Sequence, residues 1–122
     1  MLDGYLTVDF GAWHFHLCIG EHRGTPANPI SAELALHRRT ARAELYRNVT
    51  SGAPISWALR LFNGAGEQQI TVMLPNPFLS DQHGILKTPD WNRLFLWDSL
   101  RANYLGLAPD ARDRSAPAFV HP

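Results

Sequence analysis

Two runs of strict alternation flank a glycine-alanine step near the start of the chain, and few folds accommodate that pattern. From Tyr5 to Phe10, an extended strand puts Leu6, Val8 and Phe10 on one face and Tyr5, Thr7 and Asp9 on the other. From Trp13 to Ile19 the alternation resumes. Trp13, Phe15, Leu17 and Ile19 share one face, and His14, His16 and Cys18 share the other. Gly11-Ala12 supplies glycine at the first central position of a type II′ turn, the turn whose twist matches that of the flanking strands. A two-residue loop pairs Phe10 with Trp13, Asp9 with His14, Val8 with Phe15, Thr7 with His16, Leu6 with Leu17 and Tyr5 with Cys18. Apolar residues then meet apolar ones and polar meet polar, and a one-residue slip destroys the match.

Further along, Gly20 to Pro29 reads as a loop. Asn28-Pro29 is a helix start, with Ser31 as a competing cap. Ile30, Leu34, Ala41 and Leu45 recur at helical spacing with His37 in the same stripe, which predicts a helix to about Arg47. Arg38, Arg39 and Arg42 fall mostly outside the stripe, on a solvated face. A strand follows from Ile55 to Phe62, then a turn at Asn63-Gly64-Ala65-Gly66, then a strand from Gln69 to Leu74. Thr88-Pro89-Asp90 predicts the start of a second helix running to about Leu105, with Gly106 as its C-cap. That helix is apolar around most of its circumference, so it is either deeply buried or part of a subunit interface.

The order is strand-strand-helix, twice. The expected fold is α+β: two β-β-α units forming a four-stranded antiparallel sheet with two helices packed on one face. Residues 1–108 form a single domain on this reading, and 109–122 form an extended C-terminal tail. The 122 residues, with four Trp and six Phe, suffice for a packed core. Lys and Arg total 11, as do Asp and Glu, a balance that argues against nucleic-acid or anionic-membrane binding. The lone Cys18 rules out an intrachain disulfide and fits a reducing cytoplasm. No signal sequence or membrane-spanning apolar run is visible, so the expected location is cytoplasmic. The acceptor pattern Asn48-Val49-Thr50 is read as chance.

On the expected sheet, one face carries Asp9, His14, His16, Cys18, Arg60 and Thr71 together. His14 and His16, at i and i+2 on a strand, point the same way and can converge on one ion. Asp9, across from His14, is a third ligand or orients the imidazole. Two imidazoles with a carboxylate suit a divalent transition metal, zinc or iron. Glu21 and His22 reach the site from the strand end, Glu21 or Asp9 serving as general base and His22 touching substrate. Cys18 is a candidate nucleophile or a small packed residue. Arg60, with Thr71, anchors an anionic group. Asp81 and His83 matter if their loop joins the site.

Two functions follow. One is a small metal-dependent enzyme acting on a small anionic substrate through the His-x-His site. The other is a non-catalytic binding or assembly module whose polar sheet face holds a small molecule or a partner. In either case, the aromatic helix from Trp91 to Tyr104 suggests a homo-oligomer.

Overall fold

The computed structural model describes residues 3–121. Two strands open the chain, β1 (Tyr5–Asp9) and β2 (His14–Cys18), followed by helix α1 (Ala32–Arg38). Strands β3 (Thr40–Thr50), β4 (Ala53–Asn63) and β5 (Gln68–Met73) come next, and helix α2 (Phe95–Leu100) follows them. The class is α+β with antiparallel strands, as expected, but the strands do not form a single four-stranded sheet. They form a two-stranded sheet, β1-β2, and a three-stranded sheet, β3-β4-β5.

The difference originates at residue 40. The helix expected to reach Arg47 ends at Arg38, and after Arg39 the eleven residues Thr40–Thr50 are β3. Between Thr40 and Thr50, the residues Thr40, Arg42, Glu44, Tyr46, Asn48 and Thr50 alternate with Ala41, Ala43, Leu45, Arg47 and Val49. This is a strand period, and the helical spacing of Ala41 and Leu45 masked it. Ser51 and Gly52 close the turn into β4 with φ of 52° and 81°. A two-residue turn with both central residues left-handed is the type I′ geometry that suits a hairpin. α1 is short, and Ser31, not Asn28, caps it by accepting a bond from Leu34 N at 3.1 Å.

The chain divides into two compact units, one comprising the residues up to Glu44 with Arg60–Thr71, the other Leu45–Leu59 with the residues from Val72 onward. In the first unit the β1-β2 hairpin has the expected register, from Tyr5 opposite Cys18 to Asp9 opposite His14. Gly11 has φ of 89° and Ala12 does not have positive φ, as a type II′ turn requires.

The second unit holds the buried core. Ile55, Trp57, Leu74, Phe78, Leu94 and Trp97 pack there with Ala116. Phe78 stacks on Trp57 with ring centroids 6.2 Å apart and meets Trp91 edge-on at 5.6 Å. The expected second helix is a helical path of three kinds: a 3-10 turn (Trp91–Leu94), α2, and a π-helical turn (Arg101–Leu105) ending at left-handed Gly106. Its cap is Asp90, whose side chain accepts from Asn92 N at 3.2 Å, and not Thr88. Leu94, Trp97 and Arg101 are buried, whereas Phe95 and Tyr104 face outward.

The segment after Pro109 is not the extended tail expected. Ala111–Arg114 forms a 3-10 turn, and Asp113 is completely buried. Its Oδ1 accepts bonds from Arg47 Nε at 2.6 Å and from Trp57 Nε1 at 2.8 Å. Its Oδ2 accepts from Arg47 Nη2 at 2.9 Å and from Trp97 Nε1 at 2.9 Å. Arg47 also lies over the Trp97 ring, 4.9 Å from its centroid. Burial by itself pushes the Asp113 carboxyl up. The Arg47 bonds, joined by the two indoles, outweigh it and hold the carboxyl below its usual range.

Candidate functional site

The hairpin brings the two strand histidines together. His14 and His16 rings meet edge to face with centroids 5.3 Å apart. Thr7 Oγ1 lies 2.8 Å from His16 Nδ1, across the register the turn dictates. Both imidazoles are exposed, so they are open to a ligand and poorly shielded from water.

Asp9 lies opposite His14, yet its carboxylate serves the turn: Oδ1 accepts from Gly11 N at 2.8 Å. This is an Asx-type interaction, and it stabilises the hairpin by occupying a group the metal reading needs. Among the described residues, no group of three His, Cys, Asp or Glu is arranged to hold a metal ion. Two imidazoles alone leave a tetrahedral zinc ion short of two ligands.

Cys18 is 2% exposed, with Sγ 3.8 Å from Gly20 O. Burial is the main cause that pushes its thiol up, and the Asp3 charge adds to it. A thiol so placed carries little thiolate at neutral pH.

Glu21 is on the surface, paired with Arg23 at 2.6 Å. His22 is the most constrained histidine, its side chain 5% exposed. Its Nδ1 lies 2.8 Å from an Asp3 carboxylate oxygen, and its Nε2 lies 3.1 Å from Arg38 Nη1. Arginine can only donate, so Nε2 is the acceptor and the proton sits on Nδ1, facing Asp3. The Asp3 carboxylate also accepts from Arg23 N at 2.9 Å and Gly24 N at 3.1 Å. The Arg23 backbone bond is the main cause that holds Asp3 below its usual range. The Asp3-His22-Arg38 chain thus ties the start of β1 to the loop after β2 and to α1. Only His22 in it was a candidate from the sequence. Nothing in the local pattern marked Asp3 as its partner.

Arg60 and Thr71 lie in β4 and β5. They belong to the other sheet, so the single polar face joining them to His14 and His16 does not form. Thr71 Oγ1 accepts from Gln68 Nε2 at 2.6 Å. Asp81 and His83 lie in the second unit, in the loop after β5, where Asp81 pairs with Arg93. Among the described residues, no helix is long and apolar enough to cross a membrane.

No curated protein and no solved structure matches the chain. One family model matches residues 1–106, a stretch that holds both histidines of the hairpin and ends before Asp113. On that match the chain belongs to the family described as "Family of unknown function (DUF7676)".

Proposed function

We propose that this chain is a non-catalytic assembly module that pairs with a second copy of itself through the outer edge of β1. The supporting observation is the hydrogen-bond phase of the hairpin. Phe10 N donates to Trp13 O at 2.7 Å, and Ile19 N donates to Gly4 O at 2.8 Å. Bonded and non-bonded pairs alternate along an antiparallel ladder. Val8–Phe15 and Leu6–Leu17 are therefore bonded, and Asp9–His14, Thr7–His16 and Tyr5–Cys18 are not. The backbone N–H and C=O groups of Tyr5, Thr7 and Asp9 point away from β2. Among the described residues no strand pairs with that edge.

The edge lacks the usual protection. It contains no Lys, Arg or Pro, and its one charge, Asp9, is taken up with the turn. A two-stranded sheet is also marginal alone, and further strands stabilise it. A second copy suits the edge because Tyr5, Thr7 and Asp9 are symmetric about Thr7. A twofold axis there sets Thr7 against Thr7 and each Tyr5 phenol across from the second copy's Asp9 carboxylate. The formal net charge of zero lets two copies approach without mutual repulsion.

Analytical ultracentrifugation at micromolar concentration tests the reading. The unaltered chain is expected to sediment as a dimer. Thr7→Pro removes an outward N–H while leaving the bonded pairs of the hairpin intact, so it is expected to give a folded monomer. Thr7→Val, which keeps the N–H, is expected to remain dimeric. A chain that is monomeric throughout, or a Thr7→Pro variant that dimerises as well as the original, overturns the proposal.

A further inference from the structure

The loop after β5 is braced from within. Ser80 N donates to Gly84 O at 2.8 Å, Gly84 N to Ser80 Oγ at 3.1 Å, and His83 N to Ser80 O at 2.9 Å. Asn76 fixes the base of the loop, its Oδ1 accepting from Phe78 N at 2.8 Å and its Nδ2 donating to Ile55 O at 2.9 Å. His83 adopts φ of 63°, a left-handed conformation uncommon for a residue with a side chain and concentrated at functional loops.

This loop lines a cleft of about 540 Å³ with Met73, Leu74 and Leu79 as apolar surface and Ser80, His83 and Arg93 as polar groups. Small-molecule sites span roughly 300–1,000 Å³ and combine an apolar lining with a few convergent polar groups. The Arg93 side chain is 23% exposed, and its partner Asp81 is 83% exposed. Nη2 of Arg93 is engaged by Asp81, and the rest of the guanidinium has no bond among the described residues.

We propose that the cleft binds a small organic carboxylate, with its apolar body on Met73, Leu74 and Leu79 and its carboxylate on Arg93 in place of Asp81. A planar guanidinium matches a carboxylate with two parallel hydrogen bonds. Asp81 is the internal competitor for that position. Because Asp81 is already hydrated, releasing it replaces one carboxylate by another on Arg93 and strands no charge in the interior. Ser80 and His83 add hydrogen-bonding groups at the polar end. The loop bracing lowers the ordering cost of binding. This site lies within the second unit and does not depend on pairing through β1.

The test is a titration of the full chain, labelled for amide resonances, with hexanoate, benzoate, inorganic phosphate and hexylamine. Saturable shifts at Leu79 and Gly84 are expected for hexanoate and benzoate. Arg93→Gln is expected to weaken that binding about tenfold or more, the scale of losing a charge-assisted bond. Asp81→Asn removes the competitor and is expected to tighten it. Unchanged amide spectra away from the cleft confirm that both variants fold. Absence of saturable binding in the original chain, or equal binding by Arg93→Gln, overturns the proposal. So do phosphate binding as tightly as hexanoate and hexylamine binding that Asp81→Asn abolishes.

Discussion

Asp113→Asn keeps the shape of the side chain and removes its charge. Each carboxylate oxygen accepts one bond from Arg47 and one from an indole, Trp57 on Oδ1 and Trp97 on Oδ2. An asparagine NH2 on either side therefore faces two donors, and two bonds become donor–donor contacts. Leaving buried donors unsatisfied costs about 1–3 kcal/mol each, and removing one partner of a buried ion pair costs about 3–5 kcal/mol. These overlap, so we expect a loss of about 4 kcal/mol. A chain of 122 residues has a total stability of roughly 6–18 kcal/mol, so the variant is expected to fold and to melt early. Urea titration followed by tryptophan fluorescence measures the loss, with an unchanged m-value as the check that the unfolded state is comparable.

The pH dependence gives a second readout. The Asp113 carboxyl is held below its ordinary value of 3.8, so its stabilisation is complete above that value and is lost as pH falls through the lower folded value. The gap between original and variant is expected to be constant from neutral pH to about pH 5 and to narrow below 3.8. A gap under about 1 kcal/mol at neutral pH, or one that persists undiminished in acid, refutes the reasoning.

Two glycines of the hairpin separate backbone strain from steric clash. Gly11 and Gly4 have similar positive φ of 89° and 81°, but a Cβ on Gly11 meets nothing within 4 Å, whereas one on Gly4 falls 2.4 Å from Glu21 O. Gly11→Ala is expected to cost about 1–2 kcal/mol, the price of the left-handed region alone, and Gly4→Ala distinctly more. Thermal melts that rank them the other way contradict the described packing of Gly4 against the Gly20-Glu21 backbone. Cys18 is expected to resist iodoacetamide at neutral pH in the folded chain and to react readily in urea, followed by mass spectrometry. Equal rates in the two states contradict its burial.

The hairpin was fully legible because every signal agreed: a period of two on both strands, glycine at the position that needs positive φ, and like residues facing like. The β3 region was not. Ala41 and Leu45 satisfy a helical stripe as well as a strand, and what decides for the strand is pairing with β4, a contact the local pattern does not contain. That misreading also displaced the expected site. Arg60 and Thr71 could join the histidines only if all the strands shared one sheet. Asp113 was missed for a different reason. A carboxylate among arginines in a polar segment looks solvated, and its partners Arg47, Trp57 and Trp97 are 66, 56 and 16 positions away.

Those separations bear on the order of assembly during synthesis. Trp57 and Arg47 are made long before the residue that satisfies them, and until Asp113 arrives a cationic side chain and two indole N–H groups have no acceptor in the forming interior. Satisfying these donors in the second unit therefore waits for the Ala111–Arg114 turn, which supplies Asp113. The β1-β2 hairpin pairs over a short span of chain, and its wider ties, the Asp3-His22-Arg38 chain and the bridge from Cys18 to Arg39, are complete once α1 and the residue after it have been made. The two units thus differ in when they can become native, and interrupted synthesis before residue 113 leaves a finished hairpin joined to an unfinished core.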